Sequence, residues 1–225
     1  MVSREGFLAT VRQAAQQGRS YRVHLRPVPD EIGYLGAEGD LCERFAAEVN
    51  AVGGEAFVVA DLETAGRQLH SLLAEAGAQS AVCWKHEVLD RLGLAELLAA
   101  PGVARWDYDA LAGLPAEQRL QRLLACEVGI TSCDWAIAET GTLVMCSRPG
   151  QERLASLIAP MHIAIVERQQ IVPDLIDVIR MLGADKLPSN VTLITGPSKT
   201  GDIELQLTTG VHGPGKWRVI VVNER

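Results

Sequence analysis

Residues 56–84, with the sequence AFVVADLETAGRQLHSLLAEAGAQSAVCW, contain the pattern that decides the fold. A short apolar run over 56–60 is followed by a helix-like stretch over 62–75, which Asp61 can cap. A second apolar run occupies 80–84. Strands that alternate with helices of about 10 to 15 residues are typical of a mostly parallel sheet with helices on both faces.

The alternation continues on both sides of this stretch. Upstream, a helix-like segment over 41–52 ends at Gly53-Gly54, a strong stop signal for a helix. Downstream, the pattern predicts helices over 86–99, 115–126 and 173–182, and strands over 103–108, 162–167, 191–195 and 217–223. The predicted fold class is therefore α/β, built on a mostly parallel sheet.

The N-terminal part of the chain departs from this rhythm. A short amphipathic helix is predicted over 4–18, followed by Arg26-Pro27-Val28-Pro29, whose prolines favour an extended segment. We therefore divide the chain into an N-terminal helix and extended arm, 1–40, and an α/β domain, 41–225.

Composition and charge limit the classes of function. Hydrophobic residues make up 48% and charged residues 22% of the 225 residues, as in an ordinary globular domain. The net charge is −7 and no run of Lys or Arg occurs, which argues against nucleic-acid binding because that needs clustered cations. No apolar run reaches the roughly 18 residues that cross a bilayer, and the first residues lack the core of a secretory signal. We expect a cytoplasmic protein with no membrane span.

The chain has five widely spaced cysteines: Cys42, Cys83, Cys126, Cys133 and Cys146. They are expected to be reduced and mostly buried. No Cys-x-x-Cys pair occurs, so zinc ribbons and ferredoxin-type clusters lack their ligand spacing. His86-Glu87 opens like a zinc-protease helix, but Asp90 stands where the second histidine belongs, and a helix-start role is expected for His86. We predict no metal site in this chain.

The segment Gly196–Gly201 has the glycine spacing of a phosphate-binding P-loop. It continues with Asp202-Ile203 where that motif has Lys and then Ser or Thr, and an acid removes the charge that holds the phosphates. The glycine pattern of dinucleotide sites and the nucleophile elbow of serine hydrolases are also missing. The sequence offers no recognisable site for a nucleoside triphosphate, a nicotinamide, a flavin or a cluster.

Three polar, glycine-containing segments remain as candidates for a ligand site: Glu139–Thr142, Thr195–Glu204 and Gly210–Lys216. The first is predicted to be a tight turn or glycine bulge between two strands. Glu139 is a candidate catalytic residue there, as a general base, nucleophile or hydrogen-bond acceptor, although a carboxylate that merely ends a strand is the commoner case. Candidate ligand-binding residues in this segment are Thr140, Gly141 and Thr142.

The second segment leaves a predicted strand and enters a predicted helix. Ligands bind at such strand ends in open α/β sheets, where backbone N–H groups favour an anion. Asp202 is expected in the first helical turn, where a negative charge is stabilised. A plain strand-to-helix turn is the alternative. The candidate ligand-binding residues are Thr195, Gly196, Pro197, Ser198, Asp202 and Glu204.

The third segment places three glycines and a proline around His212. A histidine changes charge near physiological pH, so His212 is the second candidate catalytic residue. Gly213 and Gly215 are candidate ligand-binding residues. The alternative is a rigid connecting loop in which His212 is inert.

Taken together, the three segments are similar to the signature of the LUD-domain family, in proteins of the LutC/YkgG type. The similarity is carried by Ala138–Thr142, Thr195–Glu204 and Gly210–Gly215, within about residues 130 to 222. One departure is Lys199-Thr200-Gly201, where a smaller polar residue and alanine are expected.

The resemblance implies a fold like that of the NagB/RpiA phosphosugar isomerase and CoA-transferase group, with a ligand groove at the strand ends. It also implies a role in oxidising L-lactate to pyruvate as one of three cooperating proteins, with the iron–sulfur clusters in the partner proteins. Lactate oxidation removes two electrons that no ordinary side chain can accept, so a redox cofactor must carry that step. We expect a subunit without a cofactor of its own that does not oxidise lactate in isolation.

Two other functions stay open. One is a stand-alone non-redox enzyme that acts on a small anionic substrate, with Glu139 as the acid, base or nucleophile and the loops at Gly196 and Gly213 holding the anion. The other is a non-catalytic regulatory or assembly subunit. If Glu139, His212 and Asp202 lie far apart, the hypothesis of one shared site fails and the last interpretation gains.

Overall fold

The computed structural model describes residues 3–17, 36–183, 188–203 and 206–224. The chain divides into two units, Met1–Tyr34 and Leu35–Arg225. The described element of the first unit is helix α1, Arg4–Gln17, which confirms the predicted N-terminal helix. The predicted extended segment Arg26–Pro29 lies outside the described residues.

The second unit contains seven helices and twelve strands within its described residues. The helices are α2 Leu41–Ala51, α3 Leu62–Ala76, α4 Glu87–Arg91, α5 Leu94–Ala99, α6 Tyr108–Ala112, α7 Ala116–Leu124 and α8 Leu175–Gly183. The strands are β1 Glu55–Val59, β2 Ser80–Cys83, β3 Ala104–Trp106, β4 Val128–Thr131, β5 Trp135–Ile137, β6 Thr142–Cys146, β7 Met161–Glu167, β8 Ile171–Val172, β9 Val191–Ile194, β10 Lys199–Ile203, β11 Gln206–Thr209 and β12 Lys216–Val222.

Six strands form the main sheet, in the order β1-β12-β7-β4-β2-β3. Every neighbouring pair in it is parallel. Its central strands are buried along nearly their whole length, as expected for a parallel sheet flanked by helices. The predicted α/β class with a mostly parallel sheet is therefore confirmed.

Helix α3 shows how the sequence builds one of these layers. Asp61 accepts a hydrogen bond from Thr64 N at 2.7 Å and caps the helix, as predicted. The helix buries Leu69, Leu72 and Leu73 against the main core. It ends at Gly77, which adopts the left-handed conformation that a helix end favours.

A second, smaller sheet has four strands in the order β8-β5-β6-β9. It contains both parallel and antiparallel pairs of strands. Strands β5 and β6 are antiparallel and pair Ala136 with Leu143, which confirms the predicted turn at residues 140–141. Strand β9 adds to β6, and Leu143 pairs with Ile194. This pairing brings the candidate segment after β9 next to the β5–β6 turn.

The structure corrects one expectation about the second candidate segment. Lys199–Ile203 is strand β10 and not the start of a helix, so Asp202 does not occupy a first helical turn. Strand β10 pairs with β11 in an antiparallel hairpin, in which Thr200 lies opposite Thr208. Facing β-branched residues favour this pairing over a helix. Glu204 lies outside the described residues.

Among the described residues, none of the helices combines the length and apolarity needed to span a bilayer.

Candidate functional site

A cavity of about 290 Å³ lies between the main sheet and the turn that follows β9. The sheet contributes His162 near the start of β7 and Trp217 near the start of β12. The remaining wall is formed by Ser156-Leu157, by residues 192–199 and by His212–Pro214. The second and third candidate segments therefore meet at one cavity.

Two contacts hold these segments together. Ser198 N donates a hydrogen bond to Pro214 O at 2.9 Å. A Cβ added at Gly213 would lie 3.3 Å from Ser198 Cβ, so a larger residue at that position would crowd the contact. His212 is exposed at the cavity rim.

Gly196 is required by the packing of the β9–β10 turn. Its φ is +85°, and an added Cβ would lie 2.8 Å from Val52 O at the end of α2. Lys199 Nζ donates to the same carbonyl oxygen at 2.7 Å. A cation is stabilised there, because the C-terminal carbonyls of a helix carry partial negative charge. These contacts fix the turn against α2.

The first segment reaches the second through three threonine hydroxyls. Thr142 Oγ1 lies 2.7 Å from Thr140 Oγ1 and 2.7 Å from Thr195 Oγ1. Gly141, with a φ of +62°, packs so tightly on α2 that an added Cβ would lie 2.5 Å from Val49 N. The turn is therefore joined to the cavity wall at Thr195.

Glu139 does not line this cavity. Its backbone N–H donates to Pro173 O at 3.2 Å, at the far end of the β5–β6 turn from Thr142. Gly215 lines a different surface depression, together with Gly210 and Lys216. Of the predicted residues, Thr195–Ser198, His212 and Gly213 share one cavity, and Glu139 and Gly215 lie outside it.

Two cavity residues were missed by the sequence analysis. His162 and Trp217 are each about 1% exposed, and they face each other across the parallel pair β7–β12. Paired residues in register present their side chains on the same face of a sheet. Each of the two residues is the first of a predicted strand. The signal available in the sequence was a side chain with a ring N–H group at the start of an otherwise apolar strand.

His162 forms one side-chain hydrogen bond, between its Nε2 and Thr131 Oγ1 at 2.8 Å. Its Nδ1 and the Nε1 of Trp217 have no hydrogen-bond partner in the described part of the chain. Burial lowers the pKa of His162 from 6.5 to about 3, so the ring is neutral at physiological pH. Two of the cavity-lining residues thus each carry a buried ring nitrogen that no described group satisfies.

The charge of the wall favours an anion. Lys199 is a cation among the lining residues, and none of the lining residues within the described chain is acidic. A positive charge beside neutral hydrogen-bond donors is the usual chemistry of a carboxylate or phosphate site.

The carboxyl edge of the main sheet, where ligands commonly bind in this class of fold, carries paired side chains. Glu167 at the end of β7 is buried and accepts from Arg91 at 2.5 Å and from Gln169 at 2.6 Å. Arg168 pairs with Asp40 at 2.5 Å, and this contact lowers the pKa of Asp40. These charges stabilise one another and so hold the edge together.

All five cysteines are free and buried, as predicted. Burial raises the pKa of Cys83 to about 12 and holds that of Cys133 well above its usual value. In the described ranges, no three His, Cys, Asp or Glu residues are grouped so that they could hold a metal ion.

The comparisons with known proteins agree with this fold. The LUD domain family model matches residues 42–222. Lactate utilization protein C of Halalkalibacterium halodurans is 33% identical over 162 residues, which are 70% of this chain and 68% of that protein. Its counterpart in Bacillus licheniformis is 30% identical over 99% of this chain and 97% of that protein.

A solved structure of a DUF162 family protein from Deinococcus radiodurans matches with a TM-score of 0.55 and 24% identity. The match covers 81% of this chain and 96% of that one, and it supports the fold. Because the family model covers most of the sequence, the chain belongs to the LUD domain family.

Proposed function

We propose that this chain is a subunit of a multi-protein system that oxidises L-lactate to pyruvate, acting with iron–sulfur partner proteins. The observation that carries the proposal is end-to-end similarity to a relative named lactate utilization protein C, which covers 99% of this chain and 97% of the relative. Similarity over the whole of both chains supports a shared role better than similarity of one segment would.

In this proposal the electrons of lactate pass to the clusters of the partner proteins. Iron–sulfur clusters are held by cysteine thiolates. The cysteines of this chain do not fit such a cluster, because all five are buried and burial raises the pKa of Cys83 to about 12. Within the described residues, no three potential ligands are grouped as a cluster would need. What this chain supplies is a binding site.

The cavity beside Trp217 is the proposed binding site for a small anion. The Lys199 ammonium, the two unpartnered ring nitrogens and the hydroxyls of Thr195 and Ser198 offer charge and hydrogen bonds to it. The alternative of a stand-alone enzyme relied on Glu139 as its acid or base, and Glu139 does not line the cavity. The separation of Glu139 from the cavity that His212 lines supports a non-catalytic subunit. The cavity itself supports a subunit that binds a ligand over one that only supports assembly.

Co-purification from the native host tests this proposal. The chain is tagged at its chromosomal locus, and the cells are grown on L-lactate or on glucose. We expect iron–sulfur proteins to co-purify in near-stoichiometric amounts from lactate-grown cells, detected by mass spectrometry and by iron and sulfide analysis. Recovery of the chain alone, in cells whose growth on L-lactate survives its deletion, would contradict the proposal.

A further inference from the structure

Trp217 is oriented by its packing against the end of α2. A Cβ added at Gly54 would lie 2.5 Å from Trp217 Cε3 and 2.9 Å from Cζ3, so this edge of the indole is tightly packed. Nε1 is on the opposite edge of the indole and therefore points away from Gly54. A buried indole N–H usually finds an acceptor, and this one has none among the described residues.

His162 adds a second unsatisfied group to the same wall. Because Nε2 is engaged with Thr131 Oγ1, the role of Nδ1 depends on the tautomer. When the Thr131 hydroxyl donates to Nε2, Nδ1 carries the proton and donates. In that state two residues that line the cavity, His162 and Trp217, each carry a buried N–H donor without an acceptor among the described residues.

A carboxylate meets these requirements. It has two oxygens that accept hydrogen bonds, and a charge that Lys199 at the rim can balance. Leaving two buried donors unpaired costs free energy, so an occupant that pairs both is favoured. The volume of about 290 Å³ suits a small organic acid rather than a nucleotide.

We infer that this cavity binds a small organic carboxylate, which accepts hydrogen bonds from Trp217 Nε1–H and His162 Nδ1–H and lies near Lys199. The inference deepens the proposed function, because that function makes L-lactate and pyruvate the first carboxylates to test. It does not depend on lactate, since acetate and other short acids share the same headgroup.

Nuclear magnetic resonance on the full chain tests the inference directly. The chain has four tryptophans, and the Trp217 indole signal is assigned as the one absent in Trp217→Phe. L-lactate, pyruvate and acetate are each titrated, with propane-1,2-diol as the uncharged control. We expect the Trp217 indole N–H to shift with at least one acid and not with the diol, and the ¹⁵N shifts of His162 to report the Nδ1–H tautomer.

Calorimetry on two variants adds a matched control. Trp84 is as buried as Trp217, but its Nε1 already donates to Glu152 O at 2.9 Å. We expect Trp217→Phe to weaken carboxylate binding by at least tenfold and Trp84→Phe to leave it within about twofold. Equal weakening by both variants, or a Trp217 signal unmoved by every acid at tens of millimolar, would overturn the inference.

The two proposals fail separately. If the chain binds acetate or another acid at Trp217 but has no iron–sulfur partners, the carboxylate site is supported and the proposed role in lactate oxidation is contradicted. If the chain co-purifies with such partners but its Trp217 signal does not move with any acid, the role in lactate oxidation is supported and the carboxylate site is contradicted.

Discussion

At the scale of residues, the two most buried tryptophans differ in a single hydrogen bond. Trp84 Nε1 donates to a backbone carbonyl, whereas Trp217 Nε1 has no partner in the described chain. Replacing each by Phe removes a similar apolar area. Only Trp84→Phe also leaves a carbonyl without its donor, which costs about 1–3 kcal/mol.

We therefore expect Trp84→Phe to lower the free energy of unfolding by about 1–3 kcal/mol more than Trp217→Phe does. Urea unfolding of the ligand-free variants, followed by circular dichroism, measures the difference. Equal losses in the two variants would mean that the Trp217 indole N–H is satisfied in the folded chain.

His162 should make stability depend on pH. Burial depresses its folded pKa to about 3, while the unfolded side chain titrates near 6.5. The unfolded state therefore binds more protons below pH 6.5, and the stabilisation that is complete above that pH is lost as the pH falls toward 3.

We expect the contribution of His162 to the free energy of unfolding to fall by up to about 1.4 kcal/mol per pH unit between pH 6 and pH 4. Wild type and His162→Gln are compared by urea unfolding at several pH values. The variant should lose this part of the slope, and identical slopes would contradict the assignment. His86 has a lowered pKa as well, but it is present in both proteins.

The candidate site was predictable only in part at this scale. The glycine-containing segments at Gly196 and Gly213 were found because glycine marks positions where another segment of the protein packs closely. The short distances from an added Cβ to Val52 and to Ser198 support that interpretation. His162 and Trp217 were missed because burial hides a polar atom inside an apolar strand pattern. Only the packed structure tells which buried nitrogens lack partners.

At the scale of elements, the β5–β6 hairpin depends on one close contact with α2. Gly141 has a φ of +62° and leaves no room for a Cβ beside Val49 N. Gly77 has nearly the same φ, +60°, with nothing within 4 Å of an added Cβ. An alanine at either position would suffer the same backbone strain. Only the alanine at Gly141 would also clash with α2.

Gly77→Ala should cost about 1–2 kcal/mol, the strain of a left-handed alanine. Gly141→Ala should cost about 1–3 kcal/mol more, because the hairpin must move off the helix. Thermal and urea unfolding of both variants measure the difference. If Gly141→Ala were no worse than Gly77→Ala, the turn would not pack on α2 as described.

The regular elements were the most predictable part of the fold. The helix at 62–75 and the strands at 56–60 and 80–84 appear within about a residue of their predicted limits, because capping and burial agree there. Strand β4 was missed because it has four residues, one of them a glycine. The predicted helix over 86–99 is two helices, because Gly93 adopts a φ of +72° between them.

The error at Lys199–Ile203 has a different cause. Local preference allowed a helix with Asp202 at its start, and the pairing partner, β11, lies only a few residues further on. Pairing between strands outweighs a capping preference when β-branched residues can face each other. Because of this error, we expected the segment at the carboxyl edge of the parallel sheet. In the structure it follows β9, which belongs to the smaller mixed sheet.

At the scale of the whole α/β unit, helix α2 connects the parts that matter for the site. Its N-terminal Asp40 pairs with Arg168 at the carboxyl edge of the main sheet, and its C-terminal Val52 binds Lys199 beside the cavity. Between these two ends of α2, the β5–β6 turn packs against Glu48 and Val49. One helix thus fixes the main sheet, the hairpin and the β9–β10 turn relative to one another, and so shapes the proposed carboxylate site.

The proposed division of labour, with binding in this chain and electron transfer in partner proteins, is tested most directly by L-lactate oxidation with an artificial electron acceptor. The purified chain, the partner proteins without it, and the complete assembly are assayed side by side. We expect oxidation by the complete assembly, a large loss when this chain is omitted, and none by the chain alone. Sustained oxidation of L-lactate by the purified chain would contradict it.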